Sequence, residues 1–276
     1  MASDERNRDE SAINWSSPEV AERRNRGRAR RGAIQGPATE MMLDLAEVRT
    51  GSRVLDVAAG TGDQTILAAQ RVGPTGYVLA TDISVSMLKL AADAAQEAGL
   101  TNVETHVMDA ANIDLDQDSF DAAICQLGFF LFSNPVDVLR AMRRVVRPEG
   151  KVAALVFSTA EKNPYQGIAL GAVRDFGSKG PPLFALSESH VLESAFRESG
   201  LRNVAVHAVS FNRHFSSAAE IIQRLKETAF LQAPFEKLED AAREQAWTEI
   251  ERQFRPLERP NGVDIPGEFL IAVGTK

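Results

Sequence analysis

The sequence predicts an α/β fold, doubly wound around a mostly parallel sheet of seven strands, with helical insertions over one end. Three observations point there. From Arg53 onward, short apolar runs alternate with segments of helical period, the pattern of a parallel sheet covered on both faces. The first run, Val54-Leu55-Asp56-Val57, passes into Ala58-Ala59-Gly60-Thr61-Gly62, a glycine turn that opens a helix with its amides facing outward. A second run ends in Asp82, about twenty residues past that turn, where an acidic side chain can meet the two hydroxyls of a ribose.

The elements follow in order. Residues 1–12 are charged and almost without large apolar side chains, so disorder is expected, with residues 1–35 forming an N-terminal arm. The run Arg23-Arg24-Asn25-Arg26-Gly27-Arg28-Ala29-Arg30-Arg31 reads either as a solvated face or as a patch that meets an anionic substrate or closes the site. Ala38 to Val48 spaces Met41, Met42, Leu45 and Val48 as an amphipathic helix. Strands are expected at 54–57, 77–81, 103–108, 120–127, 152–157, 204–209 and 269–273. Helices are expected at 62–72, at 84–99 with Ser84 as cap, at 134–146 with Asn134 before Pro135, and near 188–199. Residues 158–187 read as loop with one helix, and 216–262 as two helices, the first opened by a Ser217/Glu220 capping box. Residues 36–276 then form one domain, with 158–187 and 216–262 as a lid over the substrate.

Bulk properties narrow the function. The 276 residues are 44% hydrophobic and 25% charged, which suits one soluble domain with additions, or at most two. A net charge of −7 argues against a nucleic-acid binder. Cys125 is the only cysteine, so an internal disulfide and a Cys-rich zinc site are both excluded. No apolar run reaches the ~20 residues of a membrane span, and the N-terminus lacks a signal-peptide core. A cytoplasmic location is expected.

The turn departs from the dinucleotide pattern Gly-x-Gly-x-x-Gly, because Thr65 stands at its third glycine. Asp56 just before the turn would repel a pyrophosphate, yet it suits a ligand with an amino group and one carboxylate. S-adenosylmethionine is such a ligand. Its carboxylate suits the helix N-terminus, its ammonium Asp56 or the turn carbonyls, and its ribose diol can donate to Asp82. Asp109, after the third strand, can accept from an adenine amine, and Met87 can lie against the base. Each residue also has a plainer reading: Asp56 and Asp82 as caps, Asp109 as a loop carboxylate, Met87 as core. Three carboxylates at the ends of three successive strands favour the ligand.

These segments resemble the class I methyltransferases, in particular the small-molecule group that includes the ubiquinone/menaquinone C-methyltransferases. The likeness is carried by Val54 to Asp63, Thr81-Asp82-Ile83-Ser84 with Met87-Leu88, Asp109-Ala110, Phe120-Asp121, and Val146-Arg147-Pro148-Glu149-Gly150-Lys151. It covers about residues 45–158. Ala58 departs from it, where many members have glycine. The resemblance implies a Rossmann-like methyltransferase fold and S-adenosylmethionine as cofactor. It implies a cofactor site lined by Asp56, Ala58, Gly60, Gly62, Asp82, Ile83, Met87, Asp109 and Ala110, with Cys125 and Gln126 beneath the methionyl moiety.

Methyl transfer from a sulfonium is an in-line displacement in which the enzyme mainly aligns the partners and excludes water. A base is needed only for a protonated acceptor. His214 and His190 are the candidates for it, and Tyr165 is a candidate to face the acceptor; each also reads as an ordinary surface or packing residue. Phe129, Phe130 and Phe132 either wall the site or pack the next helix. The expected acceptor is a small molecule, flat and apolar, methylated on O, N or C. No Asn/Asp-Pro-Pro-aromatic segment follows the fourth strand, which argues against DNA amino-methylation, and no magnesium pair is seen, so no metal is assigned. Protein or RNA methylation, a non-catalytic cofactor-binding relative and a nicotinamide oxidoreductase stand as alternatives. The oligomeric state is left open.

Overall fold

Seven strands and ten α-helices form among the described residues, 14–276, of the computed structural model. The expected disorder of residues 1–12 lies outside them. The strands are β1 (Arg53–Val57), β2 (Tyr77–Asp82), β3 (Val103–Val107), β4 (Phe120–Gln126), β5 (Val146–Phe157), β6 (Arg202–Phe215) and β7 (Val263–Thr275). Their order is β3-β2-β1-β4-β5-β7-β6. The first five run parallel, and β7 inserts antiparallel between β5 and β6. Chain order reverses between β1 and β4, so a crevice opens beyond their carboxyl ends.

Apolar side chains cover both faces of the sheet. On one, α5 (Pro135–Val145) and α7 (Ser189–Glu198) bury Leu139, Met142 and Phe196 against Leu55, Ala123 and Val152. On the other, α2 (Arg28–Leu45) and α3 (Asp63–Val72) bury Met42, Leu43 and Val72 against Val54, Ile124 and Ile271. Each such large side chain contributes about 1.5–3 kcal/mol. Then α4 (Val85–Glu97) packs along β2 and β3. The expected caps form: Ser84 Oγ accepts from Met87 N–H at 3.2 Å, and Asn134 precedes Pro135 and accepts from Asp137 N–H. No described helix is long and apolar enough to cross a membrane.

Four elements differ from expectation. The helix expected from Ala38 begins at Arg28, so α2 runs across the 35/36 boundary; before it lies α1 (Pro18–Arg26). Arginines are good helix formers, and two of them are anchored on the glycine turn. Strand β5 starts at Val146 and absorbs the expected turn, with Glu149 at φ 67° and a shift in its pairing with β4. Residues 216–262 hold three helices where two were expected: α8 (Ala218–Lys226), α9 (Ala229–Glu236) and α10 (Asp240–Phe254). The interruption after α8 is held by Thr228 Oγ1, which donates to the Arg224 carbonyl at 2.9 Å. Finally, β6 and β7 pair all the way to Phe215 and Val263, forming a long hairpin that carries α8–α10.

Those helices join α6 (Pro164–Asp175), the helix within 158–187, in a core of their own. Tyr165, Ile221, Leu225, Ile250, Phe254 and Ile265 are buried in it. The result is a roof above the carboxyl ends of the parallel strands.

Candidate cofactor and acceptor site

Between sheet and roof lies a cavity of about 1110 Å³. That is slightly above the ~300–1,000 Å³ usual for small-molecule pockets and leaves room for two ligands. Its floor is the glycine turn. Ala58, Gly60 and Gly62 have φ of 55°, 56° and 85°. The left-handed conformation is free for glycine but costs an alanine roughly 1–2 kcal/mol, so Ala58 is a strained substitute. At Gly62 a Cβ would stand 2.9 Å from Ala91 Cβ; this glycine lets α3 approach α4 and does not line the cavity.

Asp56 does not line the cavity either. It is fully buried and accepts from Gln64 Nε2 at 3.0 Å and Thr65 Oγ1 at 2.5 Å, both on α3. Burial raises its carboxyl to about 7, against the lowering effect of those two donors. Its work is to fasten the start of α3 to β1, and the expectation that it meets a ligand ammonium is not met by its orientation. Thr65, which displaced the third glycine of the dinucleotide pattern, is one of its two partners.

Asp82 faces the cavity. Its Oδ2 accepts from Gly60 N–H and its Oδ1 from Ser84 N–H, both at 2.9 Å. The carboxylate is therefore held in one orientation between the glycine turn and the start of α4, with lone pairs left for a ligand. Burial raises its pKa, opposed first by the Ser84 and Gly60 amides. Beside it Ile83 is 59% exposed although apolar, and it lines the cavity together with Met87, Met108, Asp109 and Ala110. Asp109 Oδ1 accepts from Ala111 N–H at 2.9 Å, which pins the turn after β3. A planar base has apolar cover and an acceptor within this group.

At the end of β4, Gln126 lines the cavity and Cys125 lies beneath it. Cys125 is buried, and a Cβ on Gly128 would meet its Sγ at 2.8 Å. Burial pushes its thiol well up, so it remains a protonated packing group. Gln126 Oε1 accepts from Thr39 Oγ1 at 2.7 Å, and its Nε2 donates to Gln35 Oε1 at 3.2 Å, tying α2 to the floor.

The arginine run is part of the site. Arg28 Nε donates to Asp63 Oδ1 at 3.2 Å and Arg31 Nε to Asp63 Oδ2 at 2.8 Å. Arg28 Nη2 also donates to the Thr61 carbonyl, and Arg31 Nη2 to Thr61 Oγ1 at 3.1 Å. Burial, with Arg24 alongside, lowers Arg31 to about 10, while Asp63 opposes the shift; it stays charged at neutral pH. Among the described residues Arg24 Nε is buried without a hydrogen-bond partner, and it lies 3.2 Å from the position a Cβ would take on Gly60. Sequence reasoning missed Asp63, Gln35 and this clamp. The signal was the charge of Asp63 at the first position of α3, facing no partner nearby in sequence.

The catalytic candidates separate. Tyr165 and His214 line the cavity. His190 is exposed at the start of α7 and is not among the cavity residues. His214 Nδ1 lies 2.9 Å from Asp264 Oδ1 on the neighbouring strand, a pairing that orients a histidine at the rim. Tyr165 is stacked on Phe215, centroids 5.5 Å apart, and burial raises its pKa, so it keeps its proton. Phe129 is core, whereas Phe130 and Phe132 line the cavity.

S-adenosylmethionine fits this arrangement. Asp82 suits its diol, Ile83, Met87 and Asp109 its adenine, and the unpartnered Arg24 nitrogen beside Gly60 an amino-acid carboxylate. Residues 38–169 match the ubiE/COQ5 methyltransferase family model. The chain has the class I methyltransferase fold, and residues 38–169 are similar to the ubiE/COQ5 family. The chain is 41% identical, over 117 residues, to the ubiquinone/menaquinone biosynthesis C-methyltransferase UbiE of Pseudomonas savastanoi, covering 42% of this chain and 46% of that one. The chain thus spans about half the length of the curated relatives it matches. Among solved structures, YcgJ from Bacillus subtilis aligns with a TM-score of 0.60 at 19% identity, over 87% of this chain and 98% of its own. A SAM-dependent methyltransferase from Aquifex aeolicus aligns with a TM-score of 0.55 at 23% identity, over 70% and 92%. These two likenesses concern the fold, and they extend it beyond residues 38–169.

Proposed function

We propose that this chain is an S-adenosylmethionine-dependent methyltransferase acting on a small-molecule acceptor. The observation that carries the reading is Asp82: a carboxylate at the end of β2, held by two backbone amides at 2.9 Å, facing a cavity beside an exposed Ile83. The bound cofactor supplies a methyl already activated by its sulfonium. The chain's own part is to hold and align. Asp82 receives the diol, Asp109 and Met87 receive the base, and Gln126 with Ala58 forms the floor near the reacting end. The roof of α6, α8 and α9 and the two N-terminal helices exclude water from the transfer.

His214, oriented by Asp264, is the group best placed to take a proton from an O–H or N–H acceptor. A roofed cavity supports a small acceptor over a protein or RNA surface. The reading places the chain in the cytoplasm, with an unpaired Cys125 thiol in keeping with a reducing compartment.

The test is calorimetric titration with S-adenosylmethionine and S-adenosylhomocysteine. Asp82→Ala loses two charge-assisted hydrogen bonds of about 1.5–3 kcal/mol each, so the dissociation constant rises at least tenfold. An unchanged constant removes Asp82 from the site.

A further inference from the structure

Of the arginines and lysines that line the cavity, Arg213 is the most buried. Arg213, near the end of β6, is only 8% exposed and lines the cavity. Arg31 is paired with Asp63, Arg30 lies 3.8 Å from Glu227, and Arg224 is paired with Glu220 and Glu227. Arg213 has no carboxylate partner among the described residues. Its one polar contact is a long one, Nη1 to Gln166 Oε1 at 3.5 Å. Its guanidinium lies over two rings, 4.8 Å from the centroid of Tyr165 and 4.6 Å from that of Phe211. An arginine carries five N–H donors in a planar fork, and four of these have no protein acceptor among the described residues. Burial lowers it to about 10, with Tyr165 opposing the shift, so it is charged at neutral pH.

A buried charge persists where something offsets its lost hydration. Two aromatic faces do part of that. The remaining donors face a cavity whose lining, among the described residues, has eight Lys or Arg against three Asp or Glu. This inverts the balance of a chain with net charge −7. The surrounding walls are aromatic: Tyr165, Phe130, Phe157 and Phe230 all line the same space.

We propose that Arg213 is the anchor for a carboxylate carried by the methyl acceptor, so that the substrate class is a flat aromatic acid. The fork matches a carboxylate bidentately, while the aromatic walls receive the ring. Tyr165 is placed to contact both, since its ring stacks on Phe215 and its hydroxyl feels Arg213, Arg30 and Arg224. The anchor stands near the end of β6, where the hairpin that carries α8–α10 begins. The proposal deepens the methyltransferase reading and rests on it for the acceptor's role. It replaces the expected apolar acceptor with one that has an apolar body and an acidic end.

The test uses the full chain saturated with S-adenosylhomocysteine, titrated with 1-naphthoate, 2-naphthoate and 4-hydroxybenzoate and with the methyl ester of each. At least one acid binds tenfold or more tightly than its ester. Arg213→Gln brings that acid to within twofold of the ester while leaving the ester and S-adenosylhomocysteine unchanged; Arg213→Lys keeps part of the preference. A residue that merely packs between Tyr165 and Phe211 would not produce this acid–ester contrast. The proposal is overturned if no acid binds, if acids and esters bind alike, or if the preference survives in Arg213→Gln. Should Arg213→Gln not fold, the wild-type contrast and Arg213→Lys decide. Failure of S-adenosylhomocysteine to bind overturns the methyltransferase reading instead, and the same acid–ester titration of the cofactor-free chain still decides on Arg213.

Discussion

Asp56 and Asp82 stand at the ends of adjacent strands, are both carboxylates and do different work, because their surroundings differ. Asp82 accepts from two rigid backbone amides and faces open space; Asp56 is enclosed by α3 and by a thiol and accepts from two side chains. Burial raises Asp56 from an ordinary 3.8 to about 7, and the sign of the consequence follows. A carboxyl whose pKa is higher folded than unfolded favours the fold in its protonated form. Its contribution is full below about pH 4 and is lost as pH rises through about 7. A shift of this size is worth about 4 kcal/mol. We expect the stability of the wild type relative to Asp56→Asn to fall by about that amount between pH 4 and pH 8, measured by urea unfolding at each pH. A difference that does not vary with pH would mean that Asp56 is ionised throughout.

At the scale of elements, the start of α2 is clamped to the glycine turn through one carboxylate. Asp63 receives both Arg28 and Arg31, with side-chain exposures of 10%, 28% and 19% respectively. Removing its charge leaves two poorly solvated arginines beside the glycine turn, and breaking a well-buried pair costs ~3–5 kcal/mol. With these exposures, Asp63→Asn should cost about 2 kcal/mol, read as a lower denaturation midpoint, and should loosen α1 and α2 in hydrogen exchange. The exposed Lys89–Asp93 pair, 2.9 Å apart on α4, is the control: Asp93→Ala should leave the denaturation midpoint nearly unchanged. Equal effects from the two substitutions would refute the clamp.

At the scale of the molecule, one sheet supports two unlike surfaces. The glycine turn, the end of β2 and the end of β3 form the floor, and the β6–β7 hairpin carries a separately packed roof. We therefore expect S-adenosylhomocysteine alone to slow exchange over 58–62, 82–87 and α1–α2, and to leave α8–α10 nearly unchanged. Protection spread evenly over the roof would show that the two surfaces respond as one body.

The strand–helix alternation, the glycine turn and the placing of Asp82, Ile83, Met87 and Asp109 were legible in the sequence. Each depends on local periodicity or on a short spacing that the backbone itself imposes. Tertiary structure alone decided which way Asp56 turns, that Arg28 and Arg31 close on Asp63, that His214 rather than His190 reaches the cavity, and that Arg213 is buried without a carboxylate. The Asp63 clamp and the His214 pairing depend on partners 30 or more residues away, Arg213 depends on enclosure by distant elements, and Asp56 depends on how α3, whose Gln64 and Thr65 it meets, packs back against β1. Hydrophobic period records which face of an element is buried; it does not record which other element covers that face. Charge, whose energy depends on burial and on the nearest opposite charge, is therefore the property a linear reading resolves least.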